Sequence, residues 1–125
     1  MKAIENSILN SVYVEQCIVV GDRKNFISCL IVPNFESLQD FLKKEQLDLS
    51  GKQAIIEHKA VIGLFDKIVE SSMGGFSRFE TVKKYRLLPN LWTLENEELT
   101  PSLKVVRKKI QKNYKDIIDQ MYDGK

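Results

Sequence analysis

One lysine near the C-terminus stands in a context that suits anion chemistry. Lys104 follows Leu99-Thr100-Pro101-Ser102 and precedes a cation-rich amphipathic pattern. Either Thr100 or Ser102 is suited to cap a helix there, which puts Lys104 beside free backbone N–H groups that attract anions. The flexible stem of a lysine at that place can deliver a point charge beyond the domain's own surface. The sequence therefore predicts Lys104 as an anchor or a reagent for an anionic group.

Other residue types that carry enzyme chemistry are sparse. His58 is the single histidine, which excludes a metal site with two histidines, and we interpret it as a helix-surface residue. Cys17 and Cys29 form no Cys-x-x-Cys pair and are expected as apolar strand residues. Gly74-Gly75 lacks the ending of a phosphate loop and better suits the end of a helix. We predict no metal site, and the lack of a catalytic set disfavours an independent small enzyme.

Charge is distributed unevenly along the 125 residues. The net charge is only +2, yet residues 78–115 contain ten cations and four acids. A solvated helix face is the simpler interpretation of the cations on the last helical pattern, which are Lys108, Lys109, Lys112 and Lys115. The alternative is a free-standing basic α+β module that binds nucleic acid or an anionic lipid surface, and salt-sensitive binding would favour it.

The pattern of apolar and turn residues predicts a small α+β domain. We expect a mostly antiparallel sheet of three strands or slightly more, with an N-terminal β-hairpin, covered by helices and ending in a basic amphipathic helix. The predicted helices are 3–10, one capped by Asn34, one from about 53 to 69 that Gly74-Gly75 closes, and one along 106–121; the predicted strands are 14–21, 26–33 and 81–88. The first two strands are almost continuously apolar, which predicts burial on both faces.

Two points of this assignment stay open. A break in the third helical pattern near His58 is undecided, and Trp92-Thr93-Leu94 is suited to a short strand before a turn at residues 95–97. The longest apolar runs are strand-sized, far below what a bilayer requires. The N-terminus lacks the apolar core of a secretion signal, so a cytoplasmic location is expected. Peripheral association of the full-length protein with a membrane is compatible with that location.

Five ordered blocks of sequence span nearly the whole chain. They are Ile4-Glu5, then Val14-Glu15-Gln16 through Val19-Val20-Gly21-Asp22, then Leu30-Ile31-Val32-Pro33, then Phe79-Glu80-Thr81-Val82-Lys83-Lys84-Tyr85-Arg86-Leu87-Leu88-Pro89, and finally Leu99-Thr100-Pro101-Ser102-Leu103-Lys104-Val105-Val106-Arg107. In that order they resemble the C-terminal domain of long-chain fatty acyl-CoA ligases, which belong to the adenylate-forming superfamily. The superfamily often has glycine where Leu103 stands, whereas leucine is usual in the long-chain branch.

The resemblance implies a mobile lid domain of a two-step enzyme. In that family an acid and ATP form an acyl-adenylate with release of pyrophosphate, and the C-terminal domain then rotates so that CoA can attack. Residues 1–125 would be this single C-terminal domain, without the N-terminal adenylation domain that supplies the phosphate loop, adenine pocket and fatty-acid tunnel. The family's hinge residue and a glycine-containing loop lie upstream of Ile4-Glu5. We therefore expect the isolated chain to be inactive.

The resemblance also assigns roles to particular residues. By its position in the motif, the lysine contributed to adenylate formation is Lys104, and we expect it to be exposed without a partner inside the domain. Further candidates for contacts with nucleotide or CoA phosphates are Lys83, Lys84, Arg86 and Arg107. The implied substrates of the full-length enzyme are Mg-bound ATP, CoA and a fatty acid, reached through the N-terminal domain. The isolated domain is expected to bind no cofactor, and no nucleic-acid partner is expected.

Overall fold

A computed structural model describes residues 2–21, 26–75 and 81–122. Six helices and three strands lie in this described part. They are α1 (Lys2–Leu9), β1 (Val14–Val20), β2 (Ile27–Pro33), α2 (Phe35–Lys44), α3 (Lys52–Glu57), α4 (Lys59–Ser72), β3 (Val82–Leu87), α5 (Arg107–Asn113) and α6 (Lys115–Tyr122). The chain divides into two compact units, residues 1–89 and 90–125. The predicted hairpin loop at residues 22–25 and the Phe79-Glu80 part of the fourth block lie outside the described residues.

The sheet of the first unit has the strand order β1-β2-β3. Strands β1 and β2 are antiparallel, with Cys17 opposite Ile31 and Val19 opposite Cys29. Strand β3 pairs with β2 in the parallel direction, with Cys29 opposite Tyr85. The α+β class, the N-terminal hairpin and the three strands are confirmed, and the sheet is mixed. Three helices, α2, α3 and α4, lie between β2 and β3, and this connection is long enough for the crossover that parallel pairing requires.

Helices α1 to α4 contribute to a core on one face of the sheet. Apolar side chains of all four helices pack there against alternate strand residues such as Cys17, Val19, Cys29 and Ile31. The opposite strand residues are also buried, including Ile18, Leu30 and Val32. The prediction that β1 and β2 are buried on both faces is therefore confirmed.

Helix α1 contributes a polar group to the edge of the sheet as well as apolar residues to the core. Glu5 is 6% exposed, and its Oε2 accepts a hydrogen bond from the backbone N–H of Val19 at 2.8 Å. Among the described residues β1 is an edge strand, and no further described strand pairs with its outer side. The buried carboxylate thus satisfies a backbone donor of the sheet edge.

Two side chains cap helices of the first unit. Asn34 Oδ1 accepts from the N–H of Ser37 at 3.0 Å, which confirms the predicted cap of α2. His58 Nδ1 accepts from the N–H of Ala60 at 3.0 Å and caps α4. The break left open in the sequence pattern therefore occurs at His58, which has an extended backbone (ψ 133°) and ends α3 there. Helix α4 ends at Ser72, just before Gly74-Gly75, as the glycine pair predicted.

The second unit contains the last helical pattern as two helices. Helix α5 ends at Asn113, and α6 begins at Lys115 after Tyr114, whose backbone (φ −113°, ψ 25°) departs from helical geometry. A single helix over residues 106–121 was therefore wrong, although Ile110, Ile118 and Met121 are all buried as the spacing predicted. In the described part of the chain, no helix has the length and apolar character needed to cross a membrane.

Substitution of the α2 cap tests its contribution to stability. We expect Asn34→Ala to lower the free energy of unfolding by about 1 kcal/mol, because the N–H of Ser37 loses its acceptor. Asn34→Asp keeps an acceptor oxygen and should remain close to the parent chain. Urea unfolding followed by far-ultraviolet circular dichroism measures both, and equal stabilities of the two variants would contradict the cap.

Candidate functional site

Lys104 lies on a short hairpin of the second unit. Leu99 and Val105 form an antiparallel bridge, and Lys104 lies on the returning side of the hairpin. Helix α5 begins only at Arg107, with Val106 as its N-cap. The prediction that Lys104 stands at the N-terminus of a helix was therefore wrong. The lysine is carried by a hairpin that precedes the helix.

A left-handed residue makes this hairpin possible. Leu103 has a φ of 66°, the region that glycine adopts without cost and that other residues usually avoid. The tight reversal also uses a hydrogen bond from the N–H of Leu103 to the carbonyl oxygen of Thr100 at 2.7 Å. The left-handed backbone explains why glycine suits this position of the motif. The Leu103 side chain is 69% exposed, so burial does not offset the cost of this conformation.

Thr100 bonds both backbone polar groups of Lys104. Its N–H donates to the carbonyl oxygen of Lys104 at 2.8 Å, and its Oγ1 accepts from the N–H of Lys104 at 3.0 Å. The hydroxyl also lies 3.0 Å from Ser102 Oγ. Neither Thr100 nor Ser102 caps a helix, because α5 begins only at Arg107. The Thr100 hydroxyl is used within the hairpin instead.

The base of the hairpin is joined to the buried residue Glu98, which is 2% exposed. Its Oε1 accepts from the N–H of Thr93 at 3.2 Å and its Oε2 accepts from the side-chain amide of Asn113 at 3.1 Å. The carbonyl oxygen of Glu98 accepts from the N–H of Val106 at 2.8 Å. Burial and the charge of Glu98 raise the pKa of Tyr114. The segment 92–94 forms no strand, and the turn predicted at residues 95–97 is present.

The ammonium group of Lys104 forms no ion pair with an acid in the part of the chain that the structure describes. Its residue is exposed, and within the described ranges no carboxylate or hydrogen-bond acceptor lies against its Nζ. This arrangement agrees with the predicted exposure of Lys104. Arg107 lies in the same unit, half-buried at the first position of α5. A fixed backbone with a free cation at the end of its side chain can contact an anionic oxygen of a separate molecule or domain.

The candidate cations of β3 belong to the first unit and point to two faces. Strand alternation separates Lys83 from Lys84 and Arg86. Lys83 Nζ donates to Thr81 Oγ1 at 3.1 Å, and Lys84 Nζ lies 5.7 Å from the ring centroid of Phe26. Arg86 Nη1 donates to the carbonyl oxygen of Tyr85 at 3.1 Å. The strand therefore does not gather these three cations into one phosphate site.

A groove of about 340 Å³ lies between α4 and β3. Its floor is apolar, and its rim contains Asp66, Glu70 and Lys83. At one end the Tyr85 hydroxyl donates to Asp66 Oδ1 at 2.6 Å, and it lies 3.1 Å from the carbonyl oxygen of Ile62. Burial raises the pKa of Tyr85 well above 10.0, and the hydrogen bond to Asp66 raises it further. This hydroxyl is therefore a fixed, neutral donor that joins the helix to the strand.

Three features of the candidate site were missed in the sequence: the left-handed Leu103, the Thr100 bonds to Lys104, and the burial of Glu98. A threonine followed three residues later by a position that often holds glycine is a recognisable signal for a hydroxyl-closed turn. For Glu98 the sequence contains no comparable signal, because the glutamates near it, Glu95 and Glu97, are the same residue type and yet are both exposed.

Comparison with known proteins decides which family the hairpin and sheet represent. The sequence profile described as "AMP-binding enzyme C-terminal domain" matches residues 2–125. The chain belongs to this family. It is 29% identical over 124 residues to fatty acyl-CoA synthetase B of Dictyostelium discoideum, covering 98% of this chain and 18% of that protein. It is 26% identical over 121 residues to the long-chain-fatty-acid–CoA ligase FadD15 of Mycobacterium tuberculosis, covering 96% of this chain and 20% of that protein.

Solved structures share the fold of this family member. The adenylation domain of a carboxylate reductase from Mycobacterium chelonae matches with a TM-score of 0.75 and 18% identity, over 96% of this chain and 17% of that one. The adenylation domain of the carboxylic acid reductase from Segniliparus rugosus, in complex with AMP and a carboxylic acid, also matches with a TM-score of 0.75 and 18% identity. This match covers 97% of this chain and 17% of that one. The chain spans about a fifth of the length of the curated relatives it matches.

Substitutions of Leu103 test the left-handed turn. We expect Leu103→Val to lower the free energy of unfolding of the second unit by about 1 kcal/mol, because a β-branched residue tolerates positive φ poorly. The free energy of unfolding of Leu103→Asn should equal or exceed that of the parent chain. Urea unfolding followed by the fluorescence of Trp92, the chain's single tryptophan and a buried residue of this unit, measures the effect. Leu91→Val, at an exposed leucine outside the left-handed region, is the matched control, and an equal loss there would contradict the explanation.

The raised pKa of Tyr85 gives an alkaline dependence of stability. The unfolded hydroxyl ionises near 10.0 while the folded one stays protonated, so stability is complete below that pH and falls above it. We expect the free energy of unfolding to fall by up to about 1.4 kcal/mol per pH unit from this group above pH ~10. Tyr85→Phe should make this fall shallower in urea titrations between pH 9 and 12. An unchanged slope would show that the hydroxyl ionises equally in both states.

Proposed function

We propose that this chain is the mobile C-terminal domain of an ATP-dependent long-chain fatty acyl-CoA ligase. Membership of the AMP-binding enzyme C-terminal domain family supports the proposal, together with relatives that are named as fatty acyl-CoA synthetases and ligases. The observation that carries it is Lys104, an exposed cation on a fixed hairpin with no acidic partner among the described residues. In this proposal residues 1–125 act as one lid domain.

Lys104 would act in the first half-reaction. A fatty-acid carboxylate oxygen attacks the α-phosphate of ATP, a new P–O bond forms, and the bond to pyrophosphate breaks. Two anionic groups must approach, so a cation that bridges their oxygens stabilises the charge that develops between them. At about 4 Å and an effective dielectric constant of ~20, one such contact is worth about 4 kcal/mol, which corresponds to a rate effect on the order of a thousandfold.

The second half-reaction requires the lysine to leave. The domain rotates, the CoA thiol attacks the acyl carbonyl of the adenylate, and AMP departs as the thioester forms. ATP with its Mg²⁺, the fatty acid and CoA are bound through a large adenylation domain, which we propose as the partner of this chain. Lys83, Lys84, Arg86 and Arg107 remain candidates for phosphate contacts in one of the two arrangements. The isolated chain is proposed to be inactive, because it lacks the residues that bind these substrates.

The internal pairing of the cations on α5 and α6 weighs against a basic binding module. Lys109 Nζ lies 3.6 Å from Glu97 Oε2, and Lys115 Nζ lies 2.8 Å from Asp119 Oδ2. These pairs neutralise part of the face that would have to meet a polyanion, and both exposed and half-exposed pairs are typical of a solvated surface. Lys108 and Lys112 remain exposed on this face. In a cytoplasmic ligase these two cations could contact the anionic headgroups of a membrane surface.

The test measures the two half-reactions separately in the complete ligase, meaning this chain joined to its adenylation domain. We expect Lys104→Ala to lower fatty-acid-dependent exchange of pyrophosphate into ATP by on the order of a thousandfold, since only this step brings the two anions together. Thioester formation from supplied acyl-adenylate and CoA should stay within about twofold of the parent enzyme.

Lys108→Ala is the matched control, because it removes an exposed cation four residues away without touching the hairpin. It should preserve both half-reactions. Equal loss of both half-reactions in the Lys104 variant would overturn the proposed role, and so would full adenylation activity. Acyl-CoA production by the isolated chain from ATP, CoA and palmitate would overturn its proposed dependence on an adenylation domain. Salt-sensitive binding of the chain to DNA, RNA or anionic vesicles, without any effect of Lys104→Ala on adenylation, would favour the basic module.

A further inference from the structure

The hairpin contains one side chain that fixes the lysine's backbone. Thr100 Oγ1 accepts from the N–H of Lys104 at 3.0 Å, while the N–H of Thr100 donates to the carbonyl oxygen of the same lysine at 2.8 Å. Both backbone polar groups of Lys104 are therefore bonded to a single residue. A third bond, from the N–H of Leu103 to the carbonyl oxygen of Thr100 at 2.7 Å, closes the turn between them.

These bonds differ in what they depend on. The two that use only backbone atoms are available to any residue except proline at position 100. The bond to Oγ1 requires a hydroxyl, and it is the one that orients the N–H side of Lys104, immediately after the left-handed Leu103. Without this acceptor the exposed N–H can bond to water, so the fold loses little while the direction of the lysine becomes less defined.

We infer that Thr100 is a positioning residue for the Lys104 ammonium group in adenylate formation. The inference rests on the proposed function of Lys104. A misplacement of about 1 Å in a charge that must bridge two reacting anions is enough to cost on the order of a hundredfold in rate. Thr100 acts through the backbone of Lys104, since its hydroxyl is already engaged by the Lys104 N–H and lies beside Ser102 Oγ.

Valine and serine at position 100 separate shape from hydrogen bonding. Thr100→Val keeps the branched shape and removes the acceptor, and Thr100→Ser keeps the acceptor. In the complete ligase we expect Thr100→Val to lower the kcat of adenylation by about tenfold to a hundredfold with the KM values for ATP and fatty acid unchanged. Thr100→Ser should restore the rate. Ser102→Ala, which leaves the Thr100 to Lys104 bond in place, is the matched control and should stay near the parent.

A double-variant cycle distinguishes positioning from a structural role. If Thr100 acts only through Lys104, Thr100→Val should change adenylation little once Lys104→Ala is present, and thioester formation should be unaffected in both backgrounds. Additive losses, loss of both half-reactions, or an early unfolding transition of Trp92 that serine does not rescue would overturn the inference. A large effect of Lys104→Ala with none of Thr100→Val would overturn this inference alone. No effect of Lys104→Ala would overturn the proposed function itself.

Discussion

A carboxylate can be buried at tolerable cost only where hydrogen bonds replace the water it loses, and the second unit is organised around such a group. Glu98 accepts from a backbone N–H at Thr93 and from the amide of Asn113, while its own carbonyl oxygen accepts from Val106. One residue therefore joins a turn, the base of the lysine hairpin and helix α5. The bond from Val106 to Glu98 closes the base of the hairpin that carries Lys104, so this junction connects the hairpin to the rest of the unit.

Much of the fold could be predicted from the sequence, since apolar periodicity and cap residues are local signals. Strands β1 and β2, the Asn34 cap and the buried face of the last helical segment all follow from them. Helix breaks at His58 and Tyr114 could not be predicted, because apolar spacing continues across an interruption of one residue. The parallel pairing of β3 was likewise hidden, since direction depends on the path of the crossover and not on residues of the strand.

The candidate site shows a different balance between pattern and structure. The proposed role of Lys104 rests on the resemblance of the motif, whereas the predicted position of Lys104 at a helix N-terminus was wrong. Thr100 has the chemistry of a helix cap, and the same hydroxyl can instead close a turn with an N–H four residues later. Leu103 decides between these outcomes, because a left-handed residue prevents the chain from continuing as a helix.

The bond between Glu5 and Val19 has a consequence for how such a domain survives apart from its neighbours. An edge strand with free N–H groups is a template on which another chain can add a strand, and strands as apolar as β1 are prone to such aggregation. Glu5 places a charged group against that edge and occupies the donor of Val19. A second strand that approached β1 would have to displace a carboxylate from its hydrogen bond. A residue of the first helix thereby opposes the addition of strands from other chains to this edge of the sheet.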